Sequence, residues 1–248
     1  MCKKYINTNI RIIVRVNSKE GNSYLEELLM DCDLLLEKIR AKVHNFRDLA
    51  EFNQTYIKPD LIYRSSSPIE AQSPELLQDL KELGIGSLVD LRSAVEIGHS
   101  SYNDDFINVF NYFWVHIDIS MPHEVLIREM QSELSFYQQF CWYTLFYNKP
   151  QIRRIFDILS RPENYSIVIH CHAGRDRTGV ISSLILLLLN APEPNIIQDY
   201  LATDEYTQSE DIEYIVQQVE EQGGIMEYLK SCELEQETLE RLVERLKP

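Results

Sequence analysis

Residues 166–189, SIVIHCHAGRDRTGVISSLILLLL, join a short β-branched run to a long apolar run through a polar loop that contains glycine. The first run predicts a buried strand that ends near Ile169, and the second, from Val180 to Leu189, predicts a buried helix. A helix that follows a strand through a tight loop directs its first backbone N–H groups toward one point, where the helix dipole also favours negative charge. This stretch therefore predicts an α/β fold with an anion site between strand and helix.

Cys171 and Arg177 are the first and last residues of that loop. A thiol at a helix N-terminus is stabilised as the thiolate, which is the nucleophilic form of cysteine. Arginine presents a planar fork of donors that fits the oxygens of a phosphoryl group. The pair predicts a phosphomonoester hydrolase in which Cys171 attacks phosphorus and forms a phosphocysteine, a route that requires neither a metal ion nor another cofactor.

The other loop residues have to offset the repulsion between a thiolate and a phosphate dianion. Gly174 permits a positive φ or a close approach of the backbone, and the Thr178 hydroxyl is placed to hydrogen-bond the sulfur. We expect His170 to fix the loop geometry, because it alternates with the mouth residue His172 along the strand end. The predicted phosphate-binding residues are His172, Ala173, Gly174, Arg175, Asp176 and Arg177. The histidines lack the spacing of metal ligands, so no metal site is predicted.

The sequence from His170 to Gly179 resembles the phosphate loop of the cysteine-dependent tyrosine and dual-specificity phosphatases, in the variant of the bacterial and fungal tyrosine phosphatases. The resemblance implies a tyrosine-phosphatase-like fold and the dephosphorylation of a protein phosphotyrosine. Further segments match that branch in order: Asn45–Leu49, Tyr63–Ser66, Gly84–Arg92, Asp199–Leu201 and Glu227–Leu229.

Two aspartates are candidates for the general acid that protonates the leaving group. The resemblance implies Asp176, which adjoins Arg177, although it must be protonated when substrate binds and its arginine neighbours oppose that state. The rival is Asp118, which ends an apolar run shortly before Pro122, where a separate acid loop could begin. We favour Asp176 and keep Asp118 as the alternative.

Arg175 departs from that branch, which usually has lysine at this position. The resemblance associates that lysine with lipid phosphates, so a phosphoinositide phosphatase is the alternative within the same class. Two further hypotheses assign the chain to other functional classes. One is a module that binds phosphorylated partners without turnover, and the other is an enzyme of sulfur or arsenate transfer. The combination of Cys171, Arg177 and Thr178 favours catalysis of phosphate-ester hydrolysis over both.

The remainder of the chain predicts a mainly parallel central sheet with helices on both faces and a helical C-terminal third. Ligands of such sheets bind beyond the carboxyl ends of the strands. Strands are expected at Ile10–Val16, Phe46–Ala50, Leu61–Ser65, Ser87–Leu91 and Val109–Ile117, and helices from Ser23, from Pro74 to Gly84, at Glu124–Tyr147 and at Gln151–Arg161.

Two segments have more than one interpretation. Residues 1–44 are interpreted as an N-terminal strand and helix extension that packs on a phosphatase catalytic domain at 45–248, with a partner-binding role as the lesser alternative. The Ser23–Glu26 pair is a capping box, and an apolar stripe follows it at helical spacing. The aromatic-rich segment 124–147 is expected to pack in the core, and the resemblance offers a lid over the site as the alternative.

Composition limits the partners. The formal charge of −15, from 39 acidic and 24 basic residues, disfavours nucleic acid. The longest apolar run, Val180–Leu189, is too short to span a bilayer, and the N-terminus lacks a secretory signal. The five cysteines are an odd number without paired spacing, which indicates a reducing compartment. We therefore expect a cytoplasmic location without stable membrane insertion, with secretion by another route left open and the oligomeric state not predicted.

Overall fold

The computed structural model describes residues 34–118, 134–204 and 206–248. Its centre is a five-stranded sheet with the order β1-β2-β5-β3-β4. The β1–β2 pair is antiparallel and the other three pairs are parallel, which confirms the predicted mainly parallel sheet. The strands are β1 (Arg47–Asp48), β2 (Ile62–Ser65), β3 (Ser87–Asp90), β4 (Asn111–Trp114) and β5 (Ile167–His170).

Helices precede, separate and follow the strands, and they make up the C-terminal third as expected. Helix α1 covers residues 34–40 of the described chain. The other helices are α2 (Pro74–Glu82), α3 (Ala94–His99), α4 (Asp104–Ile107), α5 (Phe136–Tyr147), α6 (Lys149–Leu159), α7 (Asp176–Leu188), α8 (Glu193–Leu201), α9 (Ser209–Glu221), α10 (Ile225–Ser231) and α11 (Gln236–Leu246).

The two faces of the sheet bury two apolar cores, because successive side chains of a strand point to opposite faces. Along β5, Ile167 and Ile169 pack with helices α5 to α11 on one face. Val168 points to the other face and packs with residues of α1, α2 and α4. Each fully buried side chain of this size contributes about 1.5–3 kcal/mol, so the alternation along β5 stabilises both layers.

Two predicted strands are shorter in the structure. The strand expected at Phe46–Ala50 is reduced to β1, and the one expected at Val109–Ile117 is reduced to β4. For β4 the reason lies in its partner: β3 ends at Asp90, and its chain then turns into α3. A strand can be no longer than the ladder that pairs with it.

Helix α1 belongs to the second core. Leu35, Ile39 and Val43, from the apolar stripe of the predicted N-terminal helix, are buried there. The expected strand at Ile10–Val16 and the helix start at Ser23 lie outside the described residues. No helix in the described part of the chain is long and apolar enough to cross a membrane.

Helix α5 is only partly a core helix, which modifies the expectation for the aromatic segment. Phe140 and Tyr143 are buried, whereas Phe136 is 71% exposed and Tyr147 is 44% exposed. The earlier part of that segment, residues 124–133, lies outside the described residues, so the lid interpretation stays a prediction.

Candidate active site

Cys171 follows β5 directly, at the carboxyl edge of the sheet where the adjacent strands β2 and β3 also end. Its side chain is buried, with the residue 2% exposed, and Sγ accepts a hydrogen bond from the Gly174 backbone N–H at 3.2 Å. Helix α7 begins at Asp176. The strand, loop and helix are therefore arranged as the sequence predicts.

Gly174 is required by the backbone geometry of this loop. Its φ is +72°, in the region that favours glycine. A Cβ at this position would lie 2.4 Å from the carbonyl carbon and oxygen of Ser65, which ends β2. The loop can therefore lie against β2 only because residue 174 lacks a side chain.

The loop carbonyls are held by groups on the β1–β2 side of the molecule. The Ser67 N–H donates to the carbonyl of His172 at 2.9 Å. Asn45 Nδ2 donates to the carbonyl of Ala173 at 2.9 Å, and Arg64 Nη2 donates to that of Gly174 at 2.9 Å. Because the C=O and N–H of a trans peptide point in opposite directions, the N–H groups of Ala173, Gly174 and Arg175 are directed away from these donors. The peptide between Ala173 and Gly174 shows this directly, since its N–H reaches Cys171 Sγ.

A buried charge network supports these anchors. Arg64 and Arg47 both pair with Asp199 on α8, and Arg47 Nη2 also donates to the Thr203 hydroxyl at 3.0 Å. Burial and the neighbouring Arg64 lower the pKa of Arg47 to about 10, although Asp199 opposes the change. The network joins the first two strands to α8, which packs against α7. Sequence reasoning matched the segments that contain Arg64 and Asp199 but did not pair them.

Arg177 is oriented by Glu96 of α3. Arg177 Nη1 and Nη2 donate to the two carboxylate oxygens at 2.6 and 2.7 Å, and Nη1 also lies 3.3 Å from the Leu91 carbonyl. Burial alone would raise the pKa of Glu96, but the hydrogen bonds from Arg177 and the Ser93 backbone lower it to about 2. Ser93 and Glu96 also form a capping box at the start of α3. Sequence analysis missed Glu96, and its only local signal was this Ser-x-x-Glu spacing after the Asp90–Arg92 segment.

His170 is completely buried behind the nucleophile. Its Nε2 lies 3.1 Å from the Tyr102 hydroxyl, and its Nδ1 lies 3.2 Å from the Cys171 carbonyl. Burial lowers the pKa of His170, despite Asp90 nearby, so the ring is neutral at physiological pH. Asp90 itself accepts hydrogen bonds from Arg92 and from the Tyr112 hydroxyl. These contacts hold the end of β5 and have no route to substrate.

Asp176 and Arg175 lie together at the start of α7. Arg175 Nε donates to Asp176 Oδ1 at 3.0 Å, and its Nη2 donates to the Tyr137 hydroxyl at 3.1 Å. Nη1 lies 3.8 Å from Asp204 Oδ2. Burial and the charge of Asp176 raise the pKa of Asp211 on α9, so a second carboxylate stands close to this turn.

The structure also places the other predicted site residues, His172, Thr178 and Asp118. His172 is exposed at the loop mouth. The Thr178 hydroxyl is buried in the first turn of α7 and has no hydrogen-bond partner among the described residues, so the expected bond to the sulfur is not formed. Asp118 lies after β4, and β3 stands between β4 and β5 in the sheet. Together with burial, the charge of Asp118 raises the pKa of Tyr143 on α5. Within the described residues, no group of three or more His, Cys, Asp or Glu could hold a metal ion.

Comparison with known proteins agrees with this geometry. A tyrosine-protein phosphatase of Nostoc commune is 25% identical over 133 residues, which span 53% of this chain and 44% of that protein. The triple specificity protein phosphatase PtpB of Mycobacterium tuberculosis is 27% identical over 192 residues, which span 65% of this chain and 67% of that protein. The chain thus spans less than half of the length of the first relative.

The family match is broader than either pairwise match. The sequence profile of the tyrosine phosphatase family covers residues 40–247, from the end of α1 to the end of the chain's last helix. It includes every residue that holds the loop from Cys171 to Arg177, among them Arg64, Glu96 and Asp199. A match of this extent, over the fold and the anion site together, establishes that the chain belongs to the tyrosine phosphatase family.

Proposed function

We propose that the chain hydrolyses phosphomonoesters through a phosphocysteine intermediate and that its substrates are phosphotyrosines of proteins. The observation that carries the proposal is the arrangement around Cys171 Sγ. The Gly174 N–H points at the sulfur, and the N–H groups of Ala173 and Arg175 belong to peptides whose carbonyls are likewise bound, by the Ser67 N–H and by Arg64. Fixed donors that face a developing oxyanion are the largest single contribution to many catalysed group transfers.

The reaction follows from these positions in two steps. Cys171 Sγ attacks phosphorus in line, an S–P bond forms, and the P–O bond to the leaving oxygen breaks while that oxygen receives a proton. Arg177 and the loop amides hold the equatorial oxygens of the phosphoryl group. Burial lowers the pKa of Arg177, but Glu96 and the charge of Cys171 raise it more, so the guanidinium stays charged. Water then attacks phosphorus, and phosphate and the Cys171 thiolate are released.

Asp176 is the proposed general acid. It begins α7 next to Arg177, its side chain is 24% exposed, and its Oδ1 accepts a hydrogen bond from Arg175 Nε. The alternative is Asp118. The pH dependence of kcat for Asp176→Asn and Asp118→Asn separates them, because the acid's variant loses the basic limb of the profile. Loss of that limb in Asp118→Asn alone would transfer the role to Asp118.

The test of turnover compares the wild type with Cys171→Ser. We expect phosphate release from a phosphotyrosyl peptide to fall at least about 10⁴-fold, as when other covalent nucleophiles are removed. Cys232→Ser is the matched control, since Cys232 is buried on α10's C-terminal side and not in the loop. Wild-type binding of the peptide without any Cys171-dependent phosphate release would instead support a binding module.

The substrate class is tested with a panel. A phosphotyrosyl peptide, a phosphoseryl peptide of the same sequence and a short-chain phosphatidylinositol phosphate are compared by kcat/KM. We expect the phosphotyrosyl peptide to be the best of the three. Turnover of the lipid without turnover of the phosphotyrosyl peptide would establish the phosphoinositide alternative.

We further propose residues 45–248 as the catalytic domain, with residues 1–44 as an extension packed on it. The burial of Leu35 and Ile39 beside Phe46 supports this division, because the extension then covers apolar surface of the domain. Deletion of residues 1–44 should therefore lower the unfolding midpoint while leaving Cys171-dependent turnover detectable. Complete loss of turnover in a folded deletion variant would contradict the division.

A further inference from the structure

The Arg175 guanidinium contacts three residues of the protein: Asp176, Tyr137 and Asp204. It donates to Asp176 at 3.0 Å and to the Tyr137 hydroxyl at 3.1 Å. It also lies 3.8 Å from Asp204, and its Cζ stands 4.9 Å from the centre of the Tyr137 ring. The side chain is 18% exposed. One planar group thus connects the phosphate loop with α5 and with the segment after α8.

The charges around Arg175 argue against a second phosphate at this position. Two carboxylates, those of Asp176 and Asp204, lie against one guanidinium, so the local sum of charge is negative. Arg177 on the other side of the loop is already paired with Glu96. A ligand with a further phosphate group would have to displace these carboxylates and would be repelled by them.

The same contacts place the aromatic rings of Tyr137 and Phe136, here called the aromatic wall, beside the loop. Tyr137 is held both by its hydroxyl and by the stacked guanidinium, which is the geometry of a cation–π contact. Phe136 packs edge-on against Tyr137 at 5.7 Å between ring centres and is 71% exposed. A phosphoryl group bound in the loop directs its leaving group outward across the mouth, where an aromatic leaving group can contact these rings.

We propose that Arg175 is a specificity-determining residue that acts by holding Tyr137 as a wall for the ring of an aryl monophosphate, and that it does not bind a second phosphate of the substrate. The inference rests on the proposed function and adds a reason for its substrate class. Arginine suits this role because its planar fork can stack on a ring and bond sideways at once, whereas lysine offers only a point charge.

The experiment uses the full chain with Arg175→Lys, Tyr137→Leu, Tyr137→Phe and the double variant Arg175→Lys/Tyr137→Leu. The substrates are a phosphotyrosyl peptide and a soluble short-chain phosphatidylinositol bisphosphate. Arg153→Lys and Tyr147→Leu are the controls, because Arg153 pairs with Glu233 on the surface and Tyr147 lies at the other end of α5. Circular dichroism and unfolding midpoints establish that each variant is folded.

We expect Tyr137→Leu to raise KM for the peptide about 3- to 10-fold with little change in kcat, which corresponds to the loss of one aromatic contact. Tyr137→Phe keeps the ring but loses the hydrogen bond from Arg175, so its KM should lie between those of the wild type and Tyr137→Leu. Arg175→Lys should lower the ratio of peptide to bisphosphate kcat/KM by a similar 3- to 10-fold, and it should lower that ratio little further in the Tyr137→Leu background.

Three results would overturn the inference. One is an unchanged substrate ratio in both Arg175→Lys and Tyr137→Leu when the wild type is active. Another is a loss of bisphosphate turnover in Arg175→Lys that is independent of Tyr137, which would make Arg175 a phosphate ligand. The last is an absence of Cys171-dependent turnover of either substrate in the wild type, which would overturn the proposed function and the inference with it.

Discussion

Gly174 illustrates at the scale of one residue how the loop depends on its surroundings. Its N–H reaches Cys171 Sγ, its carbonyl accepts from Arg64, and its Cα lies against the end of β2. A side chain at this position meets two separate obstacles, the positive φ and the Ser65 backbone. The loop and the strand are therefore mutually dependent.

Gly174→Ala should lower both stability and turnover. A strained φ costs about 1–3 kcal/mol, and the Cβ would lie 2.4 Å from backbone atoms that cannot rotate away. Urea unfolding and kcat/KM measure the two effects. Gly98→Ala is the control, because nothing lies within 4 Å of a Cβ at that position. Equal stability of the two variants would contradict the close packing of the loop on β2.

Glu96→Gln should reduce kcat/KM by about 10²-fold, the effect of misplacing a catalytic group by about 1 Å. The amide keeps the size of Glu96 but can accept only one of the two Arg177 hydrogen bonds, so the guanidinium loses its fixed plane. Steady-state kinetics on an aryl phosphate measure this. Glu51→Gln, at a surface pair with Arg40, is expected to be neutral. Wild-type kcat/KM in Glu96→Gln would show that the pair does not orient Arg177.

The clearest predictions for single residues come where the chemistry is local in the chain. Cys171 and Arg177 stand out because their spacing and their flanks have one physical explanation. The hydrogen bond expected from the Thr178 hydroxyl to the sulfur is absent, because that hydroxyl is buried without a hydrogen-bond partner among the described residues. Sγ accepts the Gly174 N–H instead, and nothing in the local sequence indicates that preference.

At the scale of elements, the best predictions were those with their own start and stop signals. Helix α2 begins with the Ser73 cap and Pro74 and is followed by Gly84 at a φ of +79°, as the sequence indicated. The lengths of strands β1 and β4 were overestimated, and that of β4 is limited by its partner β3. The aromatic helix α5 was expected in the core, yet its first turn serves the loop mouth through Tyr137.

Helix α9 carries a buried carboxylate that opposes folding at neutral pH. Asp211 is 3% exposed, and burial, then Asp176 and Glu210, raise its pKa. A carboxyl whose pKa is raised by folding stabilises the protein only while it is protonated, so stability is lost as pH rises through that pKa.

Asp211→Asn should therefore stabilise the protein at pH 7, by about 0.5–2 kcal/mol as is common for single stabilising changes. The gain should shrink as pH falls through the raised pKa of Asp211, because both side chains are then neutral. Urea unfolding at pH 7 and at pH 3.5 to 4 measures the difference. A lower free energy of unfolding for Asp211→Asn at pH 7 would indicate that the charge is compensated within the fold.

At the scale of the whole molecule, Asp199 joins parts of the chain that are far apart in sequence. It pairs with Arg47 and Arg64, which are 152 and 135 residues away. The site is thereby coupled to the packing of α8 on α7 and to the antiparallel edge of the sheet. A defect in this network should appear in both stability and catalysis.

Asp199→Asn should destabilise the protein by about 3–5 kcal/mol, since it leaves two buried guanidinium groups without a compensating charge. Turnover should fall as well, because Arg64 holds the Gly174 carbonyl. Thermal unfolding and kcat/KM measure both. Asp157→Asn, which breaks a half-exposed pair with Arg153, is expected to cost less than about 1 kcal/mol. Similar losses in the two variants would show that the Asp199 network is not a buried anchor.

The sequence by itself determined the class of fold and the strand–loop–helix unit, and it carries the chemistry proposed for Cys171 and Arg177, because these follow from residues that are neighbours in the chain. Apolar periodicity and loop spacing act over a few residues and can be interpreted without knowing what packs where. The tertiary structure alone decided the partners. Glu96 meets Arg177 across 81 residues, and Tyr137 meets Arg175 across 38. Charge and hydrogen-bond partners depend on distances in space, and only the folded sheet brings these groups to one edge.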